Sequence, residues 1–191
     1  MILIDEDTQL DFMLPAGALY VPGAEKLIPT LARILEGARE RGLPIISSVD
    51  AHAENDPEFA DWPAHCVAGT HGQHKVPVTL LPGRAVVPNR PDAILPDHAP
   101  QVIVEKQTLD VFSNPNLLRL LDRYPNEECA VLGVATDYCV RCAIEGLLQA
   151  GRKVRIVTDA ICGIDVEASE RVLREAVARG ARLTTAAALW F

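Results

Sequence analysis

Five short bursts of branched apolar residues punctuate the chain: "MILID" (1–5), "LPIISSV" (43–49), "QVIVEK" (101–106), "CAVLGVA" (129–135) and "KVRIVTD" (153–159). Each is too brief for a buried helix and mostly apolar on both faces, the pattern of a parallel strand covered from two sides. Parallel neighbours need long crossovers, and amphipathic stretches of that kind stand between the bursts. "AEKLIPTLARILEGARERG" (24–42) sets Leu27, Leu31, Ile34, Leu35 and Ala38 on one stripe and closes at Gly42, a residue suited to a helix C-terminus. "NPNLLRLLDRY" (114–124) offers Asn114 as N-cap and Pro115 at the first helical position. "YCVRCAIEGLLQAG" (138–151) and "VEASERVLREAVARG" (166–180) complete the helices, and "ARLTTAAALWF" adds a last strand and a terminal segment. This order predicts an α/β fold over residues 1–191 as one domain: an open, mostly parallel sheet with helices on both faces.

Residues 50–100 break the rhythm. They hold eight of the 14 prolines and all 5 histidines. A long aperiodic stretch within a compact domain is either disordered or functional, and its Trp, Phe and His content argues for function. The net charge of −8, without a basic patch, argues against nucleic acid as the main partner. No apolar run approaches the ~20 residues that span a bilayer, so no membrane partner is expected. "MILIDEDTQLDF" lacks a basic n-region and turns acidic by residue 5, unlike a signal peptide. Five cysteines, an odd count in a chain that is 49% hydrophobic, fit a reducing, cytoplasmic setting.

In an open α/β sheet, ligands bind beyond the carboxyl ends of the strands. The topology would gather Asp7, Asp50, His52, Lys106, Asp137 and Cys139 there, with Asp159 closing the fifth burst. Cys139, in "GVATDYCVRCA" (133–143), admits four readings. A redox pair with Cys142 lacks thioredoxin-like companions. A structural zinc site lacks a second ligand pair among Cys66, Cys129 and Cys162. A buried thiol is ordinary for this residue type. A nucleophile would profit from a strand-to-helix turn, whose free N–H groups and helix dipole stabilise a thiolate and an oxyanion. By position alone the last two stand level. An acid, a lysine and a cysteine at three neighbouring strand ends tip the balance toward a nucleophilic triad.

Four segments, in order over nearly the whole chain, resemble the isochorismatase-like cysteine hydrolases and, among them, the nicotinamidases. They are "ILIDEDTQLDF", "SVDAHAENDPEF" with "WPAHCVAGTHG", "VIVEKQ" and "GVATDYCV". The resemblance implies a Rossmann-like three-layer sandwich and identifies Asp7, Lys106 and Cys139 as catalytic. Cys139 would attack a carboxamide carbon while Asp7 takes its proton and passes it to the departing ammonia; water would then hydrolyse the thioester. Also implied are oxyanion donors at the Ala135 and Cys139 backbones, a cis peptide at Val134–Ala135, and Val134 beside the substrate.

The same resemblance implies one divalent metal, zinc before iron or manganese, on Asp50, His52 and His65, with Glu58 at the position of a variable fourth ligand. In nicotinamidases that metal orients the pyridine nitrogen, and Phe12 and Trp62 match aromatic positions against the ring. Homo-oligomers, a small-molecule amide as partner and a place in NAD salvage follow from the family. His71, His74 and His98 match no motif and are expected at the surface. After Lys106 the chain reads "QTLDVFSNPN", where nicotinamidases continue with a glycine toward "YSAF", so the wall near 107–113 departs from theirs. Isochorismatases proper lack the cysteine, which argues against vinyl-ether hydrolysis and leaves N-carbamoyl or ureido amides as an alternative. A non-catalytic metal-binding or redox scaffold built on "CVRC" is the alternative of another class.

Overall fold

A computed structural model describes residues 1–190. The elements run β1 (Ile2–Glu6), α1 (Leu10–Met13), α2 (Ile28–Glu40), β2 (Ile45–Asp50), β3 (Ala85–Val87), β4 (Gln101–Lys106), α3 (Asn116–Leu121), β5 (Cys129–Val134), α4 (Cys139–Gln149), β6 (Val154–Cys162), α5 (Val166–Ala178) and β7 (Arg182–Thr184). All strand pairs are parallel, in the order β3-β4-β2-β1-β5-β6-β7. Strand alternation divides the core into two layers. Ile2, Ile4, Val104 and Val131 face a layer with Leu120 of α3 and Val140 and Ile144 of α4. Leu3, Ile45, Ala130 and Leu132 face the opposite layer with Leu31, Ile34, Leu35 and Ala38 of α2. The expected three-layer α/β sandwich is therefore present.

The differences from expectation have local causes. The sheet has seven strands rather than six, because β3 adds an edge strand inside the 50–100 stretch. Its three residues, between Gly83 and Pro88, are too few to display a period. The helix expected from residue 24 starts as a 3-10 turn, Ala24–Leu27, and becomes α-helical at Ile28. Pro29 lies in that first α-helical turn, where its missing N–H costs nothing. In α3 the Asn114 side chain accepts from the backbone N–H of Asn116 at 2.9 Å, the expected cap across Pro115. The helix stops at Leu121, three residues short of Tyr124, which precedes Pro125 and so is turned away from helical geometry. β6 continues to Cys162, so Asp159 lies within that strand and not at its end; its carboxylate accepts from the Ala186 N–H at 2.7 Å.

The strands are also less apolar than they read. Asp5, Glu6, Ser47 and Ser48 are all buried. Asp5 accepts from Ser47 at 2.9 Å and Thr8 at 3.0 Å and pairs with buried Lys75 at 3.1 Å. Gln101 joins Ser47 to the Thr79 carbonyl and the Leu81 N–H. A polar layer thus pins the 75–81 segment onto the sheet. Such groups are tolerated in a core only because each finds a partner. Among the described residues, no helix is long and apolar enough to cross a membrane.

Candidate active site

β1 lies between β2 and β5, so the chain leaves β1 to one side and returns later on the other. That reversal opens a crevice at the carboxyl ends, the usual ligand position of such sheets. Asp7 follows β1 with a left-handed φ of 47°, which turns the backbone sharply out of the strand. Lys106 ends β4 and Cys139 opens α4. All three side chains meet. Lys106 Nζ is 2.9 Å from Asp7 Oδ2 and 3.7 Å from Cys139 Sγ, touches Asp50 Oδ1, and donates to the Thr108 carbonyl at 3.0 Å. Lys106 thus stands against both the Asp7 carboxylate and the Cys139 sulfur.

Burial governs the proton affinities. It raises Asp7, with the Lys106 ammonium only partly opposing. It also opposes the charge on Lys106, but the Asp50 and Asp7 carboxylates outweigh it and hold the ammonium well above its ordinary value. Cys139 is pushed well above the usual thiol range by burial, which Lys106 fails to offset. The turn was expected to favour a thiolate; desolvation wins, and the resting group is a thiol.

Asp50 ends β2, and the isolated bridge between His52 and Val67 brings the 65–67 segment alongside. His52 Nε2 and His65 Nε2 lie 3.7 and 3.6 Å from Asp50 Oδ2, three donor atoms converging on one small space. Among the described residues neither ring nitrogen of buried His52 has a hydrogen-bond partner. His52 Nδ1 is 3.1 Å from Asp56, and His65 Nδ1 is 2.7 Å from the Pro63 carbonyl. Imidazole nitrogens facing a buried carboxylate, with the His65 ring held from behind, suit a divalent metal. Burial opposes ionisation of Asp50, but Lys106 and the two imidazoles hold its carboxyl well below the usual range. Glu58 joins a second, overlapping group with His52 and Asp56.

A narrow pocket connects the two clusters, lined by Cys139, Ala135, Val134, Asp50, His65 and Glu58 together with Phe12, Trp62, Tyr138, Leu109 and Ile164. Trp62 meets Tyr138 edge-on at 5.1 Å, and Phe12 is 5.3 Å from the His65 ring. The Val134–Ala135 peptide is cis, as the resemblance implied. The turn's hydrogen bonds run from Tyr138 and Val140 N–H to the Ala135 carbonyl, and among the described residues the Ala135 and Cys139 N–H groups have no acceptor. Cys142 faces a different hollow, with Phe112 and Leu118, so the two thiols of "CVRC" do not share a site. Asp137 accepts from Ile164 and Asp165 N–H and is a loop support, not part of the cluster. His71, His74 and His98 are exposed.

Several residues escaped the sequence reading. Gln9 brackets Asp50, accepting from its N–H at 2.7 Å and donating to its carbonyl at 2.8 Å. Asp11 accepts from the Cys66 N–H at 2.7 Å and ties His65's segment to α1. Asp56, Phe59 and Tyr138 back the histidines and the aromatic wall. The only sequence signal was a density of acids and amides beside the chosen residues, which does not say which of them face inward.

The isochorismatase domain model matches residues 1–188. The nicotinamidase of Escherichia coli (strain K12) is 29% identical over an alignment covering 95% of this chain and 92% of that protein. The N-carbamoylsarcosine amidase of an Arthrobacter species is 26% identical, covering 77% and 53%. Among solved structures, the pyrazinamidase of Pyrococcus horikoshii in complex with zinc superimposes with a TM-score of 0.79 at 32% identity, covering 96% of this chain and 98% of that one. The match spans nearly the whole chain and the folds superimpose, and the chain belongs to the isochorismatase family, on its nicotinamidase and pyrazinamidase branch.

Proposed function

We propose that this hydrolase of amide C–N bonds converts nicotinamide to nicotinate and ammonia, using Cys139 as nucleophile. Cys139 Sγ attacks the carboxamide carbon as Asp7 takes the thiol proton, and the new oxyanion is held by the Ala135 and Cys139 N–H groups. Asp7 returns the proton to the nitrogen, ammonia leaves, and a thioester remains. Water, deprotonated by Asp7, attacks the thioester; the acid departs and the thiol is restored. Lys106 favours the Asp7 anion between these transfers, against the burial that raises its proton affinity. Asp50, His52 and His65, with Glu58 nearby, suit a divalent ion such as zinc, which when bound would take the ring nitrogen and orient the amide. Phe12, Trp62 and Val134 would flank the ring.

The observation that carries the substrate choice is the lining of the cavity: among the described residues it includes no lysine or arginine. A flat neutral amide suits such a wall. An N-carbamoyl amino acid would bring a carboxylate to a wall that offers it no lysine or arginine partner. The chain is further read as a cytoplasmic enzyme of NAD salvage that self-associates. Ammonia release from nicotinamide tests the proposal. The wild type is expected to release it, Cys139→Ala to lose at least 10³-fold in kcat, and a chelator to abolish it reversibly. Hydrolysis of carbamoyl amides but not nicotinamide by the folded, metal-loaded wild type would overturn the substrate and leave the nucleophile standing.

A further inference from the structure

Glu6 is the last residue of β1, and its side chain is buried beside Asp7. Its partner is Ser48 on the adjacent β2. Ser48 Oγ lies 2.7 Å from Glu6 Oε2 and 2.6 Å from Asp7 Oδ1, and it also accepts from the Asp7 backbone N–H at 3.1 Å. A hydroxyl has one proton and two lone pairs. The Asp7 N–H occupies one lone pair, and the hydroxyl proton can serve only one carboxyl oxygen. The other carboxyl oxygen would meet bare oxygen lone pairs at contact distance unless it carries a proton itself. The triangle therefore requires one proton on Glu6 or Asp7.

Charge decides which. The Lys106 ammonium, 2.9 Å from Asp7 Oδ2, favours the Asp7 anion. The other buried lysine nearby, Lys75, is engaged by Asp5 and the Ser48 carbonyl. Among the described residues no cation forms an ion pair with Glu6. Burial raises both carboxyls, Asp7 against the opposing Lys106 charge. Burial and then the Asp7 charge push Glu6 up to about 8, with Asp5 adding and Ser48 and Lys106 opposing. What separates the two is the ammonium, in contact with Asp7 alone of the pair.

We propose that Glu6 is a positioning residue held in its neutral acid form, donating to Ser48, which in turn donates to Asp7 and so fixes the rotation and basicity of the catalytic carboxylate. The inference rests on the reading of Asp7 as the proton acceptor. The Glu6 proton stays on Glu6 through turnover. Ser48 pins Asp7 Oδ1, which leaves Oδ2 on the side shared by Lys106 and Cys139. When Glu6 ionises, two anions compete for one hydroxyl proton and Asp7 loses its fixed geometry.

Carbon NMR of protein labelled at the glutamate carboxyl reads the proposal without any substrate. One glutamate signal is expected to remain protonated at neutral pH and titrate at about 8, and to be missing from Glu6→Gln. Kinetics on the amide substrate give a second reading. Glu6→Val, which has no donor, is expected to lower kcat roughly tenfold with KM within about twofold. Glu6→Gln, whose amide N–H can still donate to Ser48, should recover most of that loss and lack the alkaline decline in kcat. Full ionisation of every wild-type glutamate at neutral pH would overturn the inference. So would equal losses in both variants with a pH profile of wild-type shape, the signature of a merely structural role. Should Glu6→Val fail to fold, wild type against Glu6→Gln decides by both readouts. If no amide is hydrolysed at all, the NMR titration still judges Glu6, and the failure belongs to the functional reading.

Discussion

Lys106 is the residue on which both clusters depend, since its single buried ammonium meets Asp7, Asp50 and the Cys139 sulfur. Lys106→Met would leave two buried carboxylates without their counter-charge, at a cost of about 3–5 kcal/mol of stability. It should also lower kcat by at least about 10²-fold, because Asp7 would then hold its proton permanently. Urea unfolding and steady-state kinetics check the two parts separately. Glu6 gives a pH prediction at the same scale. In the unfolded chain its carboxyl ionises near the ordinary glutamate value; in the folded chain it ionises at about 8. Between those values the folded state keeps a proton that the unfolded state has released, so stability is present at low pH and lost as pH rises through the folded value. Glu6→Gln removes this contribution, and its melting temperature should fall less than that of the wild type between about pH 5 and pH 8.

At the scale of elements, the site depends on how closely β1 and β5 approach. Glu6 pairs with Gly133, whose φ is 114° and whose missing Cβ would lie 2.0 Å from the Glu6 carbonyl oxygen. Backbone meets backbone there, so no side-chain rotation relieves the clash. Gly133→Ala is expected to destabilise by about 3 kcal/mol or more, read as a lower urea midpoint at unchanged slope. Its effect on the site would exceed its size, because that contact sets the distance between Asp7 and the Ala135–Cys139 turn. On the β2 side, the paired hydrogen bonds of Gln9 clamp Asp50 to the turn after β1. Gln9→Ala is expected to weaken metal affinity roughly 10–100-fold, as loss of a supporting partner does. A competition assay with a chelating dye measures it.

At the scale of the molecule, the 50–67 segment returns to the sheet edge to put His52 and His65 against Asp50. A bound ion would cross-link those parts, so the folded state should gain stability with metal concentration: about 2.7 kcal/mol at a hundredfold excess over Kd. Thermal melts with added zinc or manganese should rise for the wild type and stay flat for His65→Ala. A wild type whose melting temperature ignores both metals would count against the site.

The α/β class, the five longer strands and most helix ends were legible in the chain itself, because period, branching and punctuating glycines are local properties that burial on a sheet directly selects. The residues at the strand ends were legible for the same reason: parallel topology sends every carboxyl end to one edge, so Asp7, Lys106 and Cys139 were bound to be neighbours once the strands were identified. Partnership was not legible. That Glu6 and Ser48 sit inside a buried hydrogen-bonded triangle, that Lys75 neutralises Asp5 and that Gln9 clamps Asp50 depend on contacts between residues about 40 to 70 positions apart in sequence. Desolvation decided the state of Cys139 in the same way, since a thiol's environment is a property of everything packed around it and not of the turn in which it is written.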